Sequence, residues 1–301
     1  MKNILVVYYS QTGQTKEIAE NLVKPFQDKK QYNIDYYQIK PEKEYDFPWD
    51  GKDFYNAFPE SFQQIPTAIK KPEEKILNTD YDLVVLAYQI WFLTPSIPVN
   101  SFLKSEFAKT ILANKKVITV ISCRNMWAKA QRKTKVLIDN AGGKLIANIA
   151  FVDHAPNLIS VITISHWLMG GKKDKKYGIF PTPGVAEKDI LNASKYGEII
   201  LQSWQENDFE NLQEKIIAAK GVYLKPFIIF MDEKANKMFQ IWSTFILKNE
   251  DKRKVKILFF KYYLLIALFI ISPIIFVIFF LTSPLRKKAI RKKRSLYYSV
   301  N

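Results

Sequence analysis

Two apolar periods alternate along this chain. Residues 4–8, 83–87, 116–122 and 145–152 are short, mostly apolar runs, as strands buried on both faces of a parallel sheet require. Residues 33–39 add a strand in which Ile34, Tyr36 and Gln38 alternate with their neighbours. Between the runs the period lengthens to that of a helix. Ile18, Leu22 and Phe26, flanked by Ala19 and Val23, make a face that Pro25 should end or bend. Val99, Phe102, Leu103 and Phe107 make another, and Trp127, Ala130, Thr134, Leu137 and Ile138 a third, closed by Gly142 and Gly143. A late helix over 187–204 carries Ile190, Ala193, Ile200, Leu201 and Trp204. Five strands alternating with helices predict an α/β fold, with right-handed crossovers and a single parallel sheet.

Four stretches depart from this rhythm. Residues 41–72 are rich in Pro, Phe, Tyr and Trp, too aromatic for a linker, and are expected to cover the sheet edge or a site. Residues 158–169 hold more apolar side chains than a connection needs; they are read as core, or else as the lining of a path for a lipid-like substrate, with His166 packed rather than catalytic. Residues 221–248 mix Phe, Ile, Met and Trp with Lys and Glu, the pattern of a helix lying on a membrane surface. Finally, residues 262–283 carry no charge over 22 positions, about 33 Å of helix against a hydrocarbon core of about 30 Å.

The charge pattern complicates that last segment. Formal net charge is +16 over 301 residues, but residues 251–301 hold twelve Lys or Arg and one acid, leaving 33 basic and 28 acidic groups before them. The basicity therefore points to anionic lipid headgroups rather than to nucleic acid. Basic clusters flank the segment on both sides, so both ends favour the cytoplasmic face, and Pro273 stands mid-segment. Length suits a span; charge suits a re-entrant hairpin. The expected organisation is a body at 1–205, a helical and partly interfacial linker at 206–254, a membrane segment at 255–285 and a basic cytoplasmic tail at 286–301, held at the cytoplasmic face of the cell membrane. One cysteine, Cys123, makes no internal disulfide, and no metal site is expected.

The candidate chemistry starts after the first strand. Ser10, Thr12 and Thr15 bring hydroxyls to a loop that runs straight into a helix, and Gly13 lets backbone approach closely: a phosphate cradle of hydroxyls, N–H groups and a helix N-terminus. This Ser-x-Thr-Gly-x-Thr pattern resembles the phosphate loop of the flavodoxin family, over roughly residues 1–205. The resemblance implies a flavodoxin-like doubly wound five-stranded parallel sheet of order 2-1-3-4-5, with FMN at the carboxyl ends of the strands. It also implies that Ser10, Gln11, Thr12, Gly13, Gln14 and Thr15 hold the phosphate. Tyr88, Gln89, Trp91 and Phe92 would flank the flavin ring, with Trp91 the leading stacking candidate, and Cys123, Arg124 and Asn125 would meet its other edge.

A sharper possibility joins Cys123 as nucleophile to His154 as base and Asp153 as its orienting acid, since adjacent strand ends should bring them together. The expected function is a membrane-anchored FMN-dependent oxidoreductase acting on an amphiphilic substrate such as a quinone or another lipid-like molecule. The plan of the loop, of Phe47-Pro48-Trp49 and Phe58-Pro59-Glu60, and of residues 178–184 also resembles the bacterial dialkylresorcinol condensing enzymes, which implies condensation of two acyl-derived chains in making lipid pigments. A non-catalytic membrane-held module is the third class.

Overall fold

A computed structural model describes residues 1–300, the Glu250 side chain excepted. The strands are β1 (Lys2–Tyr8), β2 (Tyr32–Gln38), β3 (Leu83–Trp91), the two-residue β4 (Thr94–Pro95), β5 (Lys116–Cys123) and β6 (Lys144–Val152). The five long strands pair in parallel in the order β2-β1-β3-β5-β6, the expected doubly wound arrangement, while β4 turns back antiparallel on the end of β3. Val6 sits opposite Tyr36 on one side and Val85 on the other, so β1 is central. Its residues 4–7 are fully buried, as the unbroken apolar run requires.

Helices cover both faces. α1 (Gln14–Gln27) leaves β1 and keeps Pro25 in its last turn, where the missing N–H costs only one bond. Gly197 lets its partner helix approach: a Cβ there would lie 1.9 Å from the carbonyl oxygen of Leu22. Between β2 and β3 the aromatic stretch folds into α2 (Gly51–Asn56), α3 (Phe58–Phe62) and α4 (Glu74–Asn78). The single helix expected after β3 is two, α5 (Ile97–Leu103) and α6 (Glu106–Leu112), separated at Lys104 and Ser105, whose hydroxyl caps α6 by accepting from the Ala108 N–H at 3.3 Å. α7 (Ala128–Asn140) follows β5.

After β6 come α8 (Asn157–Gly170), α9 (Glu187–Leu191), α10 (Ala193–Gln205) and α11 (Leu212–Ala218). α8 is inside out relative to the expectation of core. Its buried residues are Ser160, Thr163 and Trp167, and its Leu and Ile side chains are left half-covered. α11 places Leu212 and Ile216 in the main core, so the body continues past residue 205.

The C-terminal third builds a second apolar layer. α12 (Pro226–Leu247) runs antiparallel to α13 (Arg253–Ile266) and α14 (Ser272–Thr282), with Phe239 against Phe260 and Phe227 against Phe276. Pro273 does not turn the chain back: a π-helical turn over Ala267–Ile271 absorbs it, and the helical run continues from Arg253 to Tyr298. Beyond a 3₁₀ turn at Ser283–Arg286, α15 (Lys287–Tyr298) comes back to the body.

Both flanks of the uncharged segment thus touch the same body. At one end Arg253 pairs with Glu60 at 2.7 Å and Phe260 stacks on Phe58 at 3.7 Å. At the other, the Tyr297 hydroxyl donates to Glu233, Lys293 pairs with the same carboxylate, and Gln213 donates to the Tyr298 carbonyl at 2.8 Å. Phe58, Phe62, Leu93, Phe239, Ile246, Ile257 and Phe260 form a second core distinct from that around the sheet. Outward, Phe269, Ile270, Ile274, Phe280 and Leu281 are exposed.

Candidate functional site

The loop after β1 is held open from below. Gly13 has φ +86°, a left-handed conformation that an L side chain adopts only under strain. The hydroxyl of Thr15 shares a 2.5 Å hydrogen bond with Ser122 at the end of β5, which fixes the start of α1 against the sheet. Ser10 accepts from the Lys16 N–H at 3.3 Å. Among the described residues, no protein group accepts from the N–H groups of Thr12, Gly13 and Gln14, and the Thr12 hydroxyl has no partner. These unpaired donors, at a helix N-terminus, make an anion site.

Two glutamines of the loop have structural duties instead. Gln11 accepts from the Trp49 indole at 2.8 Å and donates to the Asp46 carbonyl, tying the aromatic stretch to the loop. Gln14 is buried and bonds both the N–H and the carbonyl of Val185, at 2.9 and 3.0 Å. That clamp brings Gly184 into the wall of the site. Gly184 is required there, because a Cβ would lie 2.7 Å from both the Gln14 side chain and the Trp167 ring.

Beside the loop lies a cleft of about 200 Å³, bordered by Thr12, Gln89, Trp91, Cys123 and Arg124 and walled by Trp49, Phe54 and Trp167. Trp91 packs its edge into Tyr9, Tyr45 and Trp49, with ring centres 5.0 to 5.8 Å apart. Next to it, β3 and β4 are joined by Phe92 and Leu93, both with positive φ, +47° and +64°. Hairpins normally place Asn and Gly in that geometry; here the contacts of Phe92 with Phe54 and Phe58 and the burial of Leu93 hold it.

Tyr88 does not belong to the cleft. It is fully buried on the opposite face of β3 and donates to Gln131 on α7 at 2.5 Å, because successive strand residues face opposite sides. Gln89 takes the cleft-facing position. Arg124 lines the cleft, but its guanidinium donates to the carbonyl and to Oδ1 of Asn157, at 3.1 and 2.7 Å, and burial lowers its pKa to about 10. It is a brace for α8. Asn125 faces a different cavity, and donates to the same Asn157 oxygen at 3.0 Å.

Cys123, His154 and Asp153 are not assembled into a relay. Cys123 stands in the cleft, where burial pushes its thiol pKa far up and so disfavours the thiolate. Asp153 accepts from the Ala155 N–H at 2.8 Å and the Ser160 hydroxyl at 2.6 Å, which leaves it capping the turn into α8. His154 points to Asp189, 3.5 Å away, and to Tyr223. Adjacent strand ends brought the backbones together but sent the side chains apart. His166 binds Asp174 at 2.8 Å.

Trp49, Phe54, Trp167, Gly184 and Ser122 are site residues that spacing alone did not single out. For Trp49, Phe54 and Trp167 the signals were the aromatic density of 41–72 and the unexplained apolarity of 158–169.

A sequence model of the flavodoxin family matches residues 3–152. Among solved structures, a flavoprotein in complex with FMN from Lactobacillus acidophilus is 21% identical, covering 50% of this chain and 93% of its own, with a TM-score of 0.40. Oxidised flavodoxin 1 from Bacillus cereus is 12% identical, with coverages of 65% and 95% and a TM-score of 0.36. RosB with a bound intermediate, 8-demethyl-8-formylriboflavin-5'-phosphate, is 15% identical, with coverages of 75% and 90% and a TM-score of 0.36. No curated protein sequence matches. Strand order, first-strand phosphate loop and family match coincide on one stretch of sequence: this chain belongs, through residues 3–152, to the flavodoxin-like family.

Proposed function

We propose that this chain is an FMN-binding oxidoreductase held against a membrane, acting on an amphiphilic substrate. The observation that carries the cofactor is the loop itself: three unpaired N–H groups and an unpaired hydroxyl lie beside an aromatic-walled cleft. The donor set fits a phosphate monoester, which needs acceptor-free surroundings and no dedicated Lys or Arg. The cleft, at about 200 Å³, is below the roughly 300 Å³ of ordinary small-molecule sites. It therefore suits a flat ring, with the phosphate lying outside on the loop. Thr12, Gly13 and Gln14 would hold the phosphate, and Trp91 and Trp167 the ring. FMN bound there supplies electron or hydride transfer. The chain's own part is to bind and orient it, and to keep water from the ring with Trp49, Phe54 and Gly184.

The membrane part rests on a different observation. The uncharged helix has basic clusters at both ends, and both ends dock on one body. That supports a helix lying in the plane of one leaflet's surface, rather than a span or a hairpin, with its exposed face toward lipid. A condensation that relies on Cys123 and His154 as a pair has no geometry here. The test is to purify the full chain in a non-ionic detergent and record its absorbance with and without added FMN. One flavin per chain is expected; absence of flavin bands together with no uptake of FMN rules the reading out.

A further inference from the structure

A second cavity, of about 510 Å³, opens between the body and the apolar helix pair. It is larger than the flavin cleft and nearly all its wall is carbon, supplied by Leu158, Phe227, Ile228, Pro273, Phe276 and Val277. Its volume falls in the range of sites for drug-sized ligands. An apolar space of this size between a folded body and a lipid-facing helix suits a hydrocarbon chain.

What distinguishes it from a packing defect is its polar edge. The first turns of α8 and α12 both end in its wall, through Asn157 and Leu158 on one side and Phe227 and Ile228 on the other. Among the described residues, nothing accepts from the N–H groups of these four residues. The helices are 14 and 22 residues long, so each brings a positive dipole end. Lys225, at the N-cap of α12, and His154 are exposed polar residues of the same wall. Of the carboxylates nearby, Asp153 accepts from Ala155 and Ser160, while Asp189 lies 3.5 Å from His154 with its Oδ2 making no hydrogen bond. The edge therefore offers the N–H groups of two helix starts and the charge of Lys225, beside one unpaired acceptor, Asn125 Oδ1, and the wall offers carbon.

We propose that this cavity binds a single-chain carboxylate amphiphile of the fatty-acid class, its tail along Phe227, Phe276 and Val277 and its head at the first turns of α8 and α12 beside Lys225. Position ties the site to the flavin cleft. α8 walls both spaces, the cavity with Leu158 and the cleft with Ile164, Trp167 and Leu168. Arg124 borders the cleft, Asn125 borders the cavity, and both hold Asn157. Calling the bound amphiphile the substrate rests on the oxidoreductase reading; the binding site does not.

The experiment titrates the full chain in a non-ionic detergent with dodecanoate, dodecanol and dodecylammonium, by calorimetry, with FMN-loaded and FMN-free protein. One dodecanoate per chain is expected. Dodecanol should bind about tenfold more weakly, as loss of charge-assisted hydrogen bonds implies, and dodecylammonium more weakly still. Lys225→Glu, which suits the N-terminus of α12 and should not disturb folding, should weaken dodecanoate about tenfold and leave dodecanol unchanged. Val277→Trp, on an exposed helix face, should fill the space and weaken both. Equal affinity for the three head groups, or unchanged binding to Val277→Trp, overturns the site. If dodecanoate binds to a protein that takes up no FMN, the oxidoreductase reading fails and the site stands; if FMN is retained and dodecanoate is not bound, the reverse holds.

Discussion

Gly13 concentrates the chemistry of the phosphate loop in one backbone angle. A Cβ at that position would meet nothing closer than 3.7 Å, so space is not the constraint; φ of +86° is. Gly13→Val should thus cost about 1 kcal/mol of stability, while FMN affinity, measured by fluorescence quenching, should fall at least tenfold as the N–H groups swing off target. Cys123 makes the opposite case. With its thiol pKa raised by burial, it should alkylate with iodoacetamide at pH 7.5 far more slowly than a free thiol, and Cys123→Ser should keep the wild-type flavin affinity. The loop was readable in the sequence because its chemistry lies in consecutive residues. Tyr88 and the Cys123–His154 pair were not, because they depend on which way a strand residue faces, and one position along a strand reverses that.

At the scale of elements, α12 shows how a helix can be attached by a group that opposes its own ionisation. Asp232 is 1% exposed and caps the start of α7, accepting from the Lys129 N–H at 3.0 Å, and burial pushes its pKa up to about 6 from an ordinary 3.8. The folded state therefore holds a proton that the unfolded chain gives up. Stability from this group is full below about pH 4 and is lost as pH rises through 6. Melting midpoints of the wild type should fall between pH 4 and 6, and Asp232→Asn should flatten that part of the profile. α8 marks where element reading failed. A run of Leu and Ile specifies burial, but it does not say against what; here the polar stripe of Ser160 and Thr163 packs inward and the apolar side chains border the cleft and the second cavity. Apolar periodicity finds a helix more reliably than it finds the helix's inner face.

Across the whole molecule, the five-stranded order was legible because buried parallel strands and their crossovers leave few alternatives. The C-terminal architecture was not, since its second core joins residues just over two hundred positions apart, as Phe58 and Phe260 show. That core predicts the outcome of truncation. A chain ending at residue 248 uncovers Phe58, Phe62 and Phe239 and should aggregate rather than behave as a soluble flavodoxin, seen by size-exclusion chromatography in buffer without detergent. The docked ends predict topology. In a Cys123→Ser background, single cysteines at positions 252 and 288 should both react with an impermeant maleimide from the cytoplasmic side of sealed vesicles; protection of one of them would restore the spanning helix.

The short helices α2 and α3 carry one last consequence. Phe54 of α2 stands in the cleft beside the phosphate loop, and Phe58 of α3, four residues on, lies flat on Phe260 of α13. Any displacement of that helix by the bilayer does work on the wall of the cofactor site, and thermodynamic reciprocity makes the account symmetrical. Whatever factor vesicles apply to the affinity for FMN, FMN must apply to partitioning onto vesicles. On the proposed membrane placement, the aromatic stretch between β2 and β3 is a lever whose two arms are a flavin and a membrane.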